Sequence, residues 1–395
     1  MSPSTIIRRP SRLSRCFSVA DLRELARRKL PTAIYHYLDG GADDEVTLHR
    51  NVAAFDDYAL LPRNLRDVSA IDTSTQLLGR RIAMPILCSP TGMSRLFHHQ
   101  AEPAVARAAA HAGVFYSLST MATSSIETIG RICEGPKLFQ IYLFRDRGLT
   151  AEFVARCQAA GYDALCLTID TPLAGNRERD RVTGMQMPPR FTLNSLVSFA
   201  AHPAWTLAYL RDRKFEIENV AHKAAALGQS AHSVIDYVNS QFDRTASWSD
   251  AEKLRASWPG PFVIKGIQSM ADARRAVEIG ASALMISNHG GRQLDGTMAP
   301  IDLVADIRAA VGGNVELIVD GGVRRGTHVL KALALGANAC SIGRAYLYGL
   351  AAAGEAGVDH ALALLRAELQ RDMALLGVTR IEEVTPDFVR PAMPP

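Results

Sequence analysis

The sequence predicts a single (β/α)₈ barrel, and two observations carry that prediction. Eight short, continuously apolar runs alternate with helix-like segments, and nearly every run ends in polar or Gly residues. Unbroken apolarity suits strands buried on both faces of a parallel sheet, because crossover helices cover both sides. In a parallel barrel all strand ends of one polarity meet on one face, where active sites of that architecture are built. An open doubly wound sheet would scatter the same residues along a crevice.

The predicted strands, in order, are 84–89, 114–119, 138–144, 164–170, 262–267, 283–288, 316–320 and 339–343. Their polar ends are Pro90-Thr91-Gly92, Ser119-Thr120, Gln140 with Tyr142, Thr168 with Asp170, Lys265-Gly266, His289 with Arg292, Asp320-Gly321-Gly322 and Gly343-Arg344. Helices are expected at 102–112, 125–133, 150–160, 271–279 and 326–335, several opening near Ser, Thr or Asp as capping favours. The chain reads as one domain, residues 1–395, with the barrel over 84–376. Residues 1–80 precede it and look mostly helical, and residues 171–250 form a long insertion after the fourth strand.

Composition excludes several classes. With 48% hydrophobic and 21% charged residues, the 395-residue chain has an ordinary globular composition. Its formal charge of +4 is too small to argue for nucleic acid. None of the six cysteines forms a C-x-x-C pair, and Cys88, Cys166 and Cys340 sit in apolar runs. A reduced, cytoplasmic protein without structural zinc is expected. Arg8, Arg9, Arg12 and Arg15 precede no apolar core of signal-peptide length, and no apolar run is long enough to span a bilayer. Residues 193–210 carry no Asp, Glu, Lys or Arg, are interrupted by Pro203, and are followed by Arg211, Arg213 and Lys214. Two readings stand side by side: a peripheral contact with the inner face of the cytoplasmic membrane, or a lid over the active site or a neighbouring subunit.

The run Ser287-Asn288-His289-Gly290-Gly291-Arg292-Gln293-Leu294-Asp295-Gly296 is the most informative. It puts a base that titrates near neutrality and a planar cation at one strand tip. Arg grips a carboxylate through two parallel hydrogen bonds, so the pair suggests proton abstraction beside a carboxylate. Asp320-Gly321-Gly322-Val323-Arg324 and Ser341-Ile342-Gly343-Arg344 end the last two strands, where barrels commonly hold phosphate. Lys265, inside an apolar run, requires a partner.

Together these motifs resemble the FMN-dependent L-2-hydroxy-acid dehydrogenases and oxidases, over about residues 25–380. The resemblance implies FMN as cofactor and no metal. It places the phosphate and ribityl chain at Asp320, Gly321, Gly322, Arg324, Gly343 and Arg344, with Lys265 against the flavin N1 side. Pro90, Thr91, Gly92, Ser119, Gln140, Thr168 and Ser287 are implied contacts of the ring. Taken singly, each of the first six reads better as a satisfied strand-end group. It makes His289 the base and Asp170 the acid that balances the imidazolium. Arg292, helped by Arg177, clamps the carboxylate; Tyr37 reaches that carboxylate, and Tyr142 lies beside the reacting hydroxyl.

Met121 stands where glycolate-oxidising members carry Trp, and Gly92 where oxidases commonly carry Ala. A flexible thioether tolerates a larger substrate side chain, and Gly92, with His202-Pro203-Ala204-Trp205 and Asn176-Arg177-Glu178-Arg179-Asp180, resembles the L-lactate and (S)-mandelate dehydrogenase branch. The implied function is oxidation of a lactate- or mandelate-like acid, with electrons passed to a quinone or another acceptor, by a homotetramer. An oxidase that uses dioxygen, and a non-catalytic phosphate- or flavin-binding barrel, are the alternatives.

Overall fold

The computed structural model describes residues 13–185, 192–211, 215–226, 237–238 and 240–392. Arg8, Arg9, Arg12, Arg213 and Lys214 lie outside the described residues. Eight parallel strands close a barrel. They are β1 (Ile86–Thr91), β2 (Phe115–Ser119), β3 (Lys137–Ile141), β4 (Ala164–Thr168), β5 (Phe262–Ile267), β6 (Ala283–Ser287), β7 (Glu316–Asp320) and β8 (Ala339–Ile342). Each pairs with its sequence neighbour, and β8 returns to β1. The predicted strands are therefore present, with ends moved by a few residues; β1 extends through Pro90 and Thr91.

Register gathers the polar ends. Ser119 sits beside Gln140, Thr168 beside Lys265, and Ser287 beside Asp320, which in turn neighbours Ser341. Register shifts in β1 and β5, next to Thr91 and Lys265, mark irregularities of the kind that re-aim side chains at barrel rims.

The barrel interior is filled rather than hollow. Leu87, Phe115, Leu138, Cys166, Val263, Met285 and Ile318 are fully buried there. A hairpin of Thr75–Leu77 and Arg80–Ile82 plugs the end opposite the polar rim with Leu77, Leu78 and Ile82. The Leu78 N–H donates to Glu316 at the start of β7. Outside, the five predicted helices form at Ala101–Ala112, Ile126–Ile132, Arg147–Ala159, Met270–Glu278 and Gly326–Ala334. Ser125, Asp146 and Ser269 cap three of them through their side-chain oxygens.

The N-terminal segment is helical over Val19–Lys29, Thr32–Asp39 and Val46–Ala53. Beyond these, Tyr58–Leu60 pairs with Val389–Pro391, and the plugging hairpin follows, so residues 58–82 are ribbon rather than helix. Among its described residues the insertion is largely helical, with helices at Glu178–Thr183, Leu193–Ala201, Pro203–Arg211 and Ala221–Ala226. Pro203 opens its helix, where a missing N–H is harmless. Phe199, Trp205 and Tyr209 stack inward against the core, while Leu193, Leu196, Val197, Leu207 and Leu210 are exposed.

Candidate active site

The loop after β6 carries His289 on strained backbone. His289 has φ 57°, and Gly290 and Gly291 follow at 64° and 73°. A histidine in the left-handed region is uncommon, and such conformations cluster at functional sites. Packing imposes the turn: a Cβ on Gly291 would lie 2.6 Å from the backbone nitrogen of Leu48. The buried amides of Asn51 and Asn288 bond each other in both directions, at 2.7 and 2.8 Å, tying the Val46–Ala53 helix to the loop.

His289 Nδ1 lies 3.0 Å from Asp170 Oδ1, beyond β4. An ionised carboxylate only accepts, so Nδ1 carries the hydrogen and Nε2 keeps its lone pair. Asp170 approaches this closely because the facing residue is Gly266, where a Cβ would sit 2.8 Å from the Asp170 Cβ. Burial, with Lys265 and Arg292 nearby, pulls the His289 pKa below its usual value although Asp170 opposes it. Burial would raise Asp170, but the charges of His289 and Lys265 hold its carboxyl below the usual range.

Lys265 has the partner its position demands. Its ammonium donates to Ser287 Oγ at 3.0 Å and lies 3.3 Å from Asp320 Oδ2. Ser287 and Ser89 both donate to Asp320, at 2.7 and 2.8 Å. Burial disfavours the ammonium, yet Asp170 and Asp320 more than offset it and raise the Lys265 pKa. The result is a fixed positive charge on the cavity floor.

Arg292 and Arg177 flank the Tyr37 ring, their guanidinium carbons 5.0 and 5.5 Å from its centroid. One nitrogen of Arg292 donates to the carbonyls of Tyr37 and Gly40, at 2.7 and 3.0 Å, which fixes the fork. Burial, with Arg177 adding like-charge repulsion, lowers its pKa to about 10, so it stays charged at neutral pH. Tyr142 packs edge-on against Phe242 at 5.1 Å. Burial raises its pKa and keeps its hydroxyl protonated.

These groups enclose a cavity of about 250 Å³. Its walls include Tyr37, Pro90, Thr91, Gly92, Ser119, Met121, Tyr142, Arg177, Lys265, His289, Arg292, Asp320, Gly321, Gly322, Arg324, Gly343 and Arg344. Gln140, Thr168, Asp170 and Ser287 are buried behind that wall. The residues fit FMN on chemical grounds. Gln140 Nε2 and Thr168 Oγ1 are buried strand-end atoms without a hydrogen-bond partner, and a polar ring edge would remove that cost. Arg324 and Arg344 converge near two glycine turns, and the ammonium of Lys265 lies on the same rim.

Two details add to the expected roles. Three donors of Arg344 are committed to the carbonyls of Leu38, Gly290 and Gly40, so much of this side chain locks the N-terminal segment to the β6 loop. Gly322, at φ 79°, is dictated by packing: its Cβ would overlap the Asn51 carbonyl oxygen at 1.7 Å.

Sequence reasoning missed several contributors. Gln293 Nε2 donates to the carbonyls of Asp170 and Leu173, and its Oε1 accepts from Gly175 N–H, tying the start of the insertion to the β6 loop. Tyr346 donates to the Ser89 carbonyl, and Thr91 to the Tyr346 hydroxyl at 2.6 Å. Phe97, Phe242 and Leu347 complete the walls. Gln293 lay inside the quoted signature; the others carried no local signal.

Residues 26–391 match the FMN-dependent dehydrogenase family. The chain is 41% identical over 381 residues to the L-lactate oxidase of a Nostoc species, covering 95% of this chain and 99% of that one. It is 38% identical over 375 residues to the L-lactate dehydrogenase of Alcaligenes faecalis, covering 94% and 98%. The fold superposes on the monotopic membrane protein (S)-mandelate dehydrogenase with a TM-score of 0.91, at 36% identity, covering 96% of this chain and all of that one.

Proposed function

The chain belongs to the FMN-dependent dehydrogenase family, and from that premise we propose the residue roles and the electron acceptor set out below. It oxidises an L-2-hydroxy acid of the lactate or mandelate kind to the 2-oxo acid, with FMN as cofactor. The observation that carries the proposed roles is the His289–Asp170 pair, 3.0 Å apart, at the cavity that Arg292 and Arg177 also line.

Arg292 and Arg177 hold the substrate carboxylate and turn the hydroxyl-bearing carbon toward His289. Nε2 of His289 takes a proton from the substrate, and Asp170 stabilises the imidazolium through Nδ1–H. His289 ends protonated whether the carbon gives up its electrons as a carbanion or as a hydride. Tyr142, protonated, donates to the reacting oxygen, and Tyr37 closes the carboxylate end. Bound against Lys265, FMN would supply the two-electron sink, and Lys265 would offset the negative charge gained there.

The acceptor in this reading is a quinone, and the protein is peripheral on a membrane. The exposed leucines and Val197 of the 193–201 and 203–211 helices support lipid contact, as does the likeness to a monotopic membrane protein. No described helix is long and apolar enough to cross a bilayer. A homotetramer completes the proposal, carried by family resemblance and read by sedimentation.

Anaerobic mixing of the yellow holoenzyme with a panel of L-2-hydroxy acids tests the reading. Rapid bleaching by lactate or mandelate, but not by their D-enantiomers, is expected. No bleaching by any 2-hydroxy acid would refute it.

A further inference from the structure

A second cavity, of about 450 Å³, lies where the Pro203–Arg211 helix crosses the loop after β1 and the end of the Val19–Lys29 helix. Its lining includes Lys29, Phe97, His98, His202, Trp205 and Tyr209. Phe97 also lines the active-site cavity, where its ring stacks on Tyr37 with centroids 6.3 Å apart. One aromatic side chain thus belongs to the walls of both spaces.

The outer wall is flat and aromatic. Trp205 and Tyr209 stack with rings 5.1 Å apart and 10° from parallel, and Phe199 continues the stack at 5.5 Å. The indole N–H of Trp205 donates to the Leu96 carbonyl at 2.8 Å, holding the helix against the β1 loop. The mutual stacking makes this wall stiff and apolar.

The polar groups are equally specific. His98 Nδ1 accepts from the Gln100 N–H at 3.3 Å, which leaves the proton on Nε2. Burial, His99 and Lys29 lower the His98 pKa to about 4, so the ring is neutral. His202 Nδ1–H donates to the Ser198 carbonyl at 2.7 Å, which fixes the ring in the wall. The wall thus presents the Nε2–H donor of His98, beside the cationic side chains of Arg28, Lys29 and Arg95. Leu207 and Leu210, 67% and 59% exposed, continue apolar surface outward along the same helix.

We propose that this cavity binds the ring of a quinone-type electron acceptor, with His98 donating to a ring carbonyl and an apolar tail leaving past Leu207 and Leu210. The inference rests on the functional reading above, since only an enzyme that reduces its flavin needs an acceptor. Oxidation of the 2-hydroxy acid releases two electrons and two protons, one of the protons through His289. FMN, once reduced, would supply both electrons, and Phe97 is a side chain common to the walls of the two cavities. Both quinone carbonyls become hydroxyls by taking two protons from water. A separate site lets the acceptor bind while the 2-oxo acid is still in place.

The test uses the oxidised holoenzyme and a 1,4-benzoquinone with a decyl tail. Its Kd is read by quenching of tryptophan fluorescence and checked by equilibrium dialysis. His98→Leu removes the donor, and Ala208→Trp fills the cavity from its lining. Each is expected to weaken quinone binding about tenfold or more, and to slow flavin reoxidation by quinone in proportion. Flavin bleaching by the hydroxy acid, and reoxidation by ferricyanide, should match wild type. Saturating 2-oxo acid should leave the quinone Kd unchanged. Displacement of the quinone by 2-oxo acid, or wild-type quinone binding in both variants, would overturn the proposal. Failure of every hydroxy acid to bleach the wild-type flavin would instead sink the functional reading, while the Kd values still decide the cavity.

Discussion

Asp170→Asn probes the base most sharply, because it removes a charge while preserving shape. The Asp170 side chain is 4% exposed and 3.0 Å from His289 Nδ1, and an Asn oxygen can still accept that hydrogen. Orientation should survive; the stabilisation of the imidazolium should not. A unit charge pair about 4 Å apart at an effective dielectric of about 20 is worth about 4 kcal/mol, and a hydrogen bond to a charged group about 1.5–3 kcal/mol. A loss of about 2–4 kcal/mol slows flavin reduction about 30- to 1,000-fold. The pH profile gives a second readout. Asp170 raises the His289 pKa against burial, so its loss lowers that pKa further. The base then stays unprotonated to lower pH, and the acid limb of kcat/KM moves down as the plateau falls. Anaerobic stopped-flow reduction across pH, with the flavin spectrum confirming an intact site, measures both. An unchanged plateau, or an acid limb that moves up, would refute the pairing.

Arg292→Lys loses the planar fork that the Tyr37 and Gly40 carbonyls hold in place; 2-oxo acid binding, followed by flavin absorbance, should weaken about 10- to 100-fold. Gly92→Ala places a Cβ 2.7 Å from the Met121 Cβ and 3.1 Å from its carbonyl oxygen. Met121 must shift, so the preference between lactate and mandelate should change, and dioxygen should reoxidise the reduced enzyme faster in stopped flow; identical selectivity and reoxidation would disprove the contact's importance. Replacing Leu193, Val197, Leu207 and Leu210 together with Ser should abolish sedimentation with anionic vesicles while leaving flavin bleaching intact. Vesicle binding that persists would assign the insertion to a lid or subunit contact.

Much of the site was legible because a parallel barrel has one active face. Any strand ending in Lys265, His289 or Asp320 must deliver that residue to the same rim, so strand assignment was nearly site assignment. The reach of the N-terminal segment was harder to read. Asn51 and Leu48 meet the β6 and β7 loops, yet neither carries a periodic or motif signal, since such contacts depend on how distant segments dock. Arg344 illustrates the same limit. Its position at the last strand end was legible, but not the use of its donors to lock three backbone carbonyls.

The apolar runs and their polar ends determined by themselves that this chain closes a barrel and what chemistry its rim offers. Burial on both faces demands continuous apolarity, and the crossover rule makes every strand point the same way. Tertiary structure alone decided the tautomer of His289, the tuning of Lys265 between two carboxylates, and the second cavity behind Phe97. Those properties depend on distances of a few ångströms between residues far apart in the chain, in an interior whose low dielectric magnifies each one. No local pattern encodes such distances; only the docking of the insertion and the N-terminal helices onto the rim creates them.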